Sequence, residues 1–374
     1  MKLYEYQAKQ VFQEMGIAIP KSQLITDTTQ LFEAIQAVSL PCVIKSQVLS
    51  GGRGKRGLIA FVRSEEQALA EVNRLFQHEI KIRSLLIEQA INIKNELYVS
   101  ITVDPAKGQA LLLCSKSGGV DIETLAVEEP EKIIKEWIDL RYGLMPNQAR
   151  HVAYQLALPE VVTKQLIVIF LKMYQIFTTY DAELVEINPL FINDQDECIA
   201  GDGKLMIDDN SMFRQGRFEP AKEDYRTEAE YHASQEGIPF IQFDGDIGLM
   251  CAGAGLTTTV YDLIHYEGGS VANYLEFGGP NYKKALQAME ICLKVPSKVI
   301  LIVTFGTIAR ADVMAEGIVE AIKKLQPDRP IVVCIRGTNE QEAVKMLKSA
   351  GLEPLFDTEE AVRKACQLAK GVKQ

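Results

Sequence analysis

Over residues 184–210 the chain reads LVEINPLFINDQDECIAGDGKLMIDDN, and this stretch restricts the possible folds more than any other. Around Glu186-Ile187-Asn188 apolar and polar residues alternate as in a half-buried strand. The turn-prone cluster Asn193-Asp194-Gln195-Asp196 then reverses the chain. A second short strand is predicted over 198–202. With the reversal centred on Gln195, Asn188 falls opposite Asp202, where facing Cβ atoms stand about 5 Å apart. An amide oxygen and a carboxylate at that separation can share one hard cation, and Glu186 points to the same face. So sparse a set leaves positions for water and phosphate oxygens, which suits Mg²⁺ better than Ca²⁺. A polar hairpin on a solvated face is the alternative reading of the segment.

The 374 residues are enough for two or three domains with a large core. A net charge of −10 argues against a nucleic-acid partner gripped through its phosphates. No apolar run is read as reaching the roughly 20 residues that span a bilayer. The opening MKLYEYQAKQ carries no apolar signal core, so a cytoplasmic location away from membranes is expected. Seven cysteines are scattered without a CxxC, most in apolar runs where buried, reduced thiols are the ordinary outcome. None of the four histidines (78, 151, 232 and 265) stands in a ligand pattern or advertises a nucleophile.

The first half mixes helices with strands of antiparallel character. Helices are predicted over 3–15, from a Ser64 cap through Leu75, over 130–141 and over 158–179. Strands are predicted over 41–45, 58–62, 85–88, 96–103 and 109–114, and the aliphatic-poor stretch 217–236 reads as a linker. After Ile238 the pattern changes. Strands over 247–251, 299–304 and 331–335 alternate with helices over 257–266, 312–324 and 340–350, which predicts a parallel, doubly wound sheet. Ligands of such sheets sit beyond the carboxyl ends of the strands. Those ends carry Gly253-Ala254-Gly255, Gly278-Gly279 and Gly306-Thr307.

Between the strands at 41–45 and 58–62 lies SGGRGKRG, with four glycines and three cations. Glycines let backbone N–H groups come close to phosphate oxygens, and the cations offset their charge. There is no GK[ST], and a strand follows rather than a helix, so this is not a Walker loop. A basic hairpin turn accounts for the same residues. Lys45 closes the preceding strand and is placed to reach a phosphate. Glu88 and Glu96, at strand ends, are placed to accept from a ribose or a base; taken singly, each is more often an ordinary surface glutamate.

Taken together, LYEYQAKQVF, VIKSQVLSGGRGKRG, IEQAINIKNELYVS, SKSGGVDIE, VEINPL, GDGKLMIDDNSMFRQ, GAGL, ANYLEFGG and TFGTIARADVMAEGI resemble one family over nearly the whole chain. It is the β subunit of succinyl-CoA synthetase and the wider ATP-grasp acyl-CoA ligases, malate–CoA ligase among them. The resemblance implies an α/β chain: an α+β ATP-grasp domain with two lobes over 1–225, then a flavodoxin-like CoA-ligase domain over 238–374. It implies Mg²⁺ and ATP, with GTP left open, and nucleotide contacts at Lys45, Gly52, Arg53, Gly54, Glu88, Ile91 and Glu96. It places the metal on Asn188 and Asp202, and makes Glu186 the catalytic carboxylate that steadies a phosphohistidine. That histidine, and CoA, belong in the family to a separate α subunit, which is the implied partner. A small carboxylic acid is the implied substrate, with succinate carrying a place in the tricarboxylic acid cycle.

The likeness weakens at one place. The family's Asn-Gly-Ala-Gly-Leu begins here with Ala252, its Gly-Gly-Gly reads Gly278-Gly279-Pro280, and its Gly-Gly-Ile-Val reads Gly306-Thr307-Ile308-Ala309. Ala252 lacks the amide's donors and acceptor, Pro280 lacks a backbone N–H, and Thr307 is branched where the family has glycine. The resemblance assigns Ala252, Thr307, Ile308 and Ala309 to the loops that meet the acid and the phosphohistidine, so three departures there predict an acid other than succinate. The competing expectation, from another class, is a non-catalytic nucleotide-binding adaptor of the α-like subunit.

Overall fold

A computed structural model describes residues 1–306 and 309–371. The chain divides into two compact units, Met1–Pro220 and Ala221–Gln374.

The first unit holds two antiparallel sheets. Strands β1 (Ser22–Ile25), β2 (Cys42–Ser46), β3 (Ile59–Val62) and β4 (Leu85–Gln89) form the smaller, in the order β1-β4-β2-β3. Helix α2 (Leu31–Val38) and helix α3 (Glu65–Phe76) close its core over Ile44, Leu58, Leu85 and Ile87. Ser64 caps α3, its hydroxyl accepting from the Gln67 amide. The larger sheet contains β5 (Ile93–Asp104), β6 (Gln109–Ser115), β7 (Ile134–Ile138), β8 (Ala182–Asn193), β9 (Cys198–Ala200) and β10 (Lys204–Ile207). Its order is β10-β8-β5-β6-β7, with β9 also paired to β8. Helix α1 (Glu5–Glu14), helix α5 (Pro146–Gln155) and helix α6 (Glu160–Thr179) cover it, while α4 (Ile122–Glu128) follows a loop after β6.

The β8–β9 hairpin has the register read from sequence. Leu190 faces Ala200 and Ile192 faces Cys198, and the Gly201 amide still donates to the Pro189 carbonyl. The strand itself stops at Ala200, however, so Gly201 and Asp202 form a bend rather than the last residues of a strand.

Three expectations need correction. The segment 130–141 is not a helix: a short 3₁₀ turn, Pro130–Lys132, leads into β7, which pairs with β6 as an edge strand. Proline suits the first turn, but the run Ile134, Trp137, Ile138 then finds a sheet edge to extend, and pairing overrides local propensity. The stretch 217–236 is not all linker, because α7 (Glu228–Glu236) occupies its end. Thr227 caps it and Gly237, at φ +62°, terminates it. Its buried positions are Ala229 and Ala233, small residues one turn apart, and so the aliphatic content is low. Finally, α6 is long and apolar enough to cross a membrane by length and composition. Here Val162, Leu166, Ile169, Phe170, Met173 and Phe177 recur at helical spacing and bury that stripe against the sheet core.

The second unit has the alternating order expected of it. Strands β11 (Phe240–Gln242), β12 (Ile247–Cys251), β13 (Val271–Leu275), β14 (Val299–Gly306) and β15 (Ile331–Gly337) line up as β11-β13-β12-β14-β15. All neighbours are parallel except β11, which runs antiparallel to β13. Residues 299–304 are buried on both faces, and so they read as one unbroken apolar run. Ile300 and Ile302 pack towards α9 (Ala285–Leu293), α10 (Ala311–Leu325) and α11 (Glu340–Ser349). Leu301 and Val303 pack towards α8 (Ala254–Tyr266) and α12 (Thr358–Ala369). This is a doubly wound α/β sheet.

Candidate functional site

The first unit encloses an open cavity of about 500 Å³ where the glycine loop, the start of the chain and the β8–β9 hairpin converge. Gly52, Arg53 and Gly54 line it on one side, Glu186, Asn188 and Asp202 on the other. Gly52 has φ +70°, a conformation that a side chain would strain, and a Cβ on Gly51, Gly52 or Gly54 would meet no atom within 4 Å. The loop backbone is therefore bare towards the cavity.

Behind Arg53 lies a buried ionic network. Helix α1 contributes Glu5 and Lys9, β2 contributes Lys45, and β4 contributes Glu88. Glu5 Oε1 receives Lys45 Nζ and Lys9 Nζ, each at 3.0 Å, and Glu5 Oε2 receives Arg53 Nη1. Lys45 Nζ also donates to Glu88 Oε1 and to the Gly201 carbonyl, both at 2.6 Å. Lys9 bonds Glu88 Oε2 and the same carbonyl. Arg53 Nη2 donates to both oxygens of Asp202 at 2.8 Å. Three cations thus meet three carboxylates, and buried charges persist only when paired in this way. Burial would lower the Lys45 pKa, but Glu5 and Glu88 more than reverse it and keep the ammonium charged. Burial would likewise raise Glu5, yet Lys45, Lys9 and Arg53 hold it well below the usual carboxylate range.

The metal candidates are held by different neighbours. Asn188 Oδ1 accepts from the Gly119 amide at 2.8 Å and its Nδ2 donates to the Val120 carbonyl. Among the described residues no three His, Cys, Asp or Glu side chains gather as a metal cluster. An amide oxygen and a carboxylate are hard donors that fit Mg²⁺, with its remaining positions going to water or phosphate. Glu186 shares their wall; burial pushes its carboxyl up, Lys204 pulls it back, and the charges of Asp202 and Glu123 add to the rise.

Not every residue expected at the nucleotide reaches the cavity. Lys45 and Glu88 are locked in the network behind it. Glu96, paired with Phe191 near the start of β5, packs on the loop after β6: a Cβ on Gly119 would sit 2.4 Å from its carboxylate. Ile91 is half-buried between β4 and β5, away from the lining. Sequence reading also missed residues that belong here. Lys2 and Lys204 line the cavity, as do Asp121 and Glu123. Glu5 and Lys9 carry the network, and their i,i+4 spacing was the available signal. It reads most readily as a surface pair, and only the buried lysine across the sheet turns it inward.

In the second unit the strand ends come together. Phe277 donates its amide to the Cys251 carbonyl, and a Cβ on Gly278 would fall 2.7 Å from the Gly253 nitrogen. Ala252 and Ala309 are half-buried and pack against one apolar cluster, at the starts of α8 and α10. Arg310 and Asp312 pair with each other, and Asn339 donates to Asp312. Thr307 and Ile308 lie outside the described residues.

Residues 2–192 match the ATP-grasp domain model and residues 250–368 match the CoA-ligase model. The chain is 70% identical, over its whole length and 93% of the relative's, to the ADP-forming sulfoacetate-CoA ligase subunit SqwK of an Acholeplasma species. The chain belongs to the acid–CoA ligase β-subunit family. It is 54% identical over 99% of its length to all of the ADP-forming sulfoacetate-CoA ligase subunit SauC of Bilophila wadsworthia. It is 41% identical over 99% of its length to all of the ADP-forming succinate–CoA ligase β subunit of Ignicoccus hospitalis. Among solved structures, ATP citrate lyase from Methanothrix soehngenii superposes with a TM-score of 0.75 over 99% of each chain at 21% identity, a likeness of fold. As a member of this family the chain is a nucleotide-binding subunit of an acid–thiol ligase, and so an enzyme component.

Proposed function

We propose that this acid–CoA ligase subunit binds Mg²⁺-ATP in the cavity of its first unit and serves the activation of sulfoacetate or a closely similar short sulfonated acid. The observation that carries the nucleotide reading is the convergence of bare glycine backbone, Arg53 and the Asn188–Asp202 pair on one cavity. Loop amides and the cations Arg53, Lys2 and Lys204 would hold the phosphates. Asn188 and Asp202 would hold Mg²⁺, which supplies charge neutralisation across the phosphate oxygens. The ADP-forming names of the relatives favour ATP over GTP.

The phosphoryl group then passes to a histidine of an α-like, CoA-binding partner. Glu186, half-buried on the cavity wall, would accept from the far nitrogen of that imidazole, fixing its tautomer and stabilising the cation that forms as the other nitrogen attacks. Both phosphohistidine and acid would be received at the loops around Ala252, Gly278 and Ala309.

For the acid, support comes from the two sulfoacetate relatives and from the departures at Ala252, Pro280 and Thr307. A sulfonate offers three acceptor oxygens at a tetrahedral centre and stays ionised at every working pH. That differs from the planar carboxylate of succinate, and a pocket built for one penalises the other. The expectation of a tricarboxylic acid cycle enzyme is accordingly withdrawn. The test is ADP release by the chain co-produced with its α-like partner, with CoA and a panel of acids. Nucleotide binding without ADP formation under any of these conditions would count for the adaptor reading.

A further inference from the structure

Two cations of the ionic network, Lys45 and Arg53, differ in their freedom. Lys45 is buried and spends all three donors on Glu5, Glu88 and the Gly201 carbonyl. Moving it would leave Glu88 facing Lys9 alone. Arg53 rises from the glycine loop, lines the cavity, and points one arm at Glu5 and the Ser46 carbonyl. Its other arm covers both Asp202 oxygens, and a third of that carboxylate's side chain is exposed to the cavity. On either side of Arg53 the glycine positions are open: a Cβ on Gly52 or Gly54 would meet no atom within 4 Å.

We propose that Arg53 is a positioning residue that guards Asp202: it occupies the carboxylate until phosphate oxygens draw the guanidinium away, so that divalent cation and nucleotide load as one unit. This rests on the reading of the cavity as a Mg²⁺-nucleotide site. A carboxylate with both oxygens on a guanidinium offers little to a divalent ion arriving alone, and the positive charge beside it repels that ion. Phosphates offer the planar guanidinium an equivalent bidentate pair of oxygens. The exchange frees Asp202 at the moment the cation arrives with them, while Glu5 keeps the arm anchored and Lys45 holds its place.

The consequence is counter-intuitive: removing a cation from a phosphate site should create metal affinity. With the full-length chain and Mn²⁺ alone as probe, loss of the free-ion EPR signal should show weak binding to the wild type. Binding to Arg53→Gln should be about tenfold tighter, the effect of one neighbouring like charge. Arg53→Lys, which keeps the charge but cannot bridge Glu5 and Asp202 at once, should gain less, and it decides the matter if the Gln variant does not fold. Adding Asp202→Asn to either should abolish the gain. Unchanged or weaker Mn²⁺ binding in both Arg53 variants overturns the exchange. Calorimetry of the wild type with Mg²⁺-ADP separates the two ideas, since absence of binding there removes the nucleotide reading itself.

Discussion

Tyr98 Oη, buried on β5, lies 3.4 Å from Glu186 Oε2 on β8 and 2.9 Å from Ser100 Oγ. Ser100 and Glu186 are direct partners across the two strands, so the phenol and the hydroxyl flank one carboxylate on one face. A carboxylate with both neighbours fixed keeps its orientation towards the cavity.

Glu186→Gln should leave ATP affinity within about twofold of wild type and slow phosphorylation of the partner's histidine by about 10²–10⁴. Tyr98→Phe should slow the same step by less, again without weakening ATP. Single-turnover transfer of labelled phosphate measures both. An undiminished rate in Glu186→Gln removes that residue from the mechanism.

Lys45→Ala should destabilise the chain by about 3–5 kcal/mol, because it leaves the buried carboxylates of Glu5 and Glu88 short of a partner. Lys55→Ala, on the exposed glycine loop, should change stability by less than about 0.5 kcal/mol while still weakening ATP. Urea unfolding of the two variants beside the wild type checks the contrast.

The architecture was largely legible, because its periodicities are strong. The double-faced burial of β12 and β14 leaves uninterrupted apolar runs, and the hairpin around Gln195 fixes its own register. What stayed hidden was decided at a distance. Whether Ile134–Ile138 coils or pairs depends on β6 offering an edge. Whether Glu5 and Lys9 face water or the core depends on Lys45, far along the chain. The glycine loop and the Asn188–Asp202 pair were readable as chemistry, but not that Arg53 bridges them. Ile91 was placed by resemblance alone and Glu96 also by its strand-end position, and neither lines the cavity.

Stability should fall in acid through Glu5. Its folded pKa lies below the ordinary value, so its contribution is full above about pH 4.3 and is lost as pH falls through the lower folded pKa. Glu5→Gln should be less stable than wild type at pH 7 and should lose less on going to pH 3. Urea midpoints at both pH values decide this; parallel losses in the two proteins would contradict it.

Asp202→Asn should weaken Mg²⁺-ATP far more than metal-free ATP, because it deletes charge at the proposed cation position. Calorimetry with and without chelator gives both values. Equal weakening would take Asp202 out of the metal site.

The proposed acid preference should be reversible. Ala252→Asn with Thr307→Gly restores the family pattern at two of the three departures, and it should raise succinate use relative to sulfoacetate by about 10-fold or more, as expected when a missing hydrogen-bond partner is returned. No change in the ratio would leave these residues without a role in selection.

The most direct measurement is kcat/KM for ADP formation by the co-produced complex with CoA, ATP and either sulfoacetate or succinate. Sulfoacetate should be preferred by at least about 10²-fold, the discrimination a site built for one anion's hydrogen bonds achieves. Equal or better use of succinate would contradict the account.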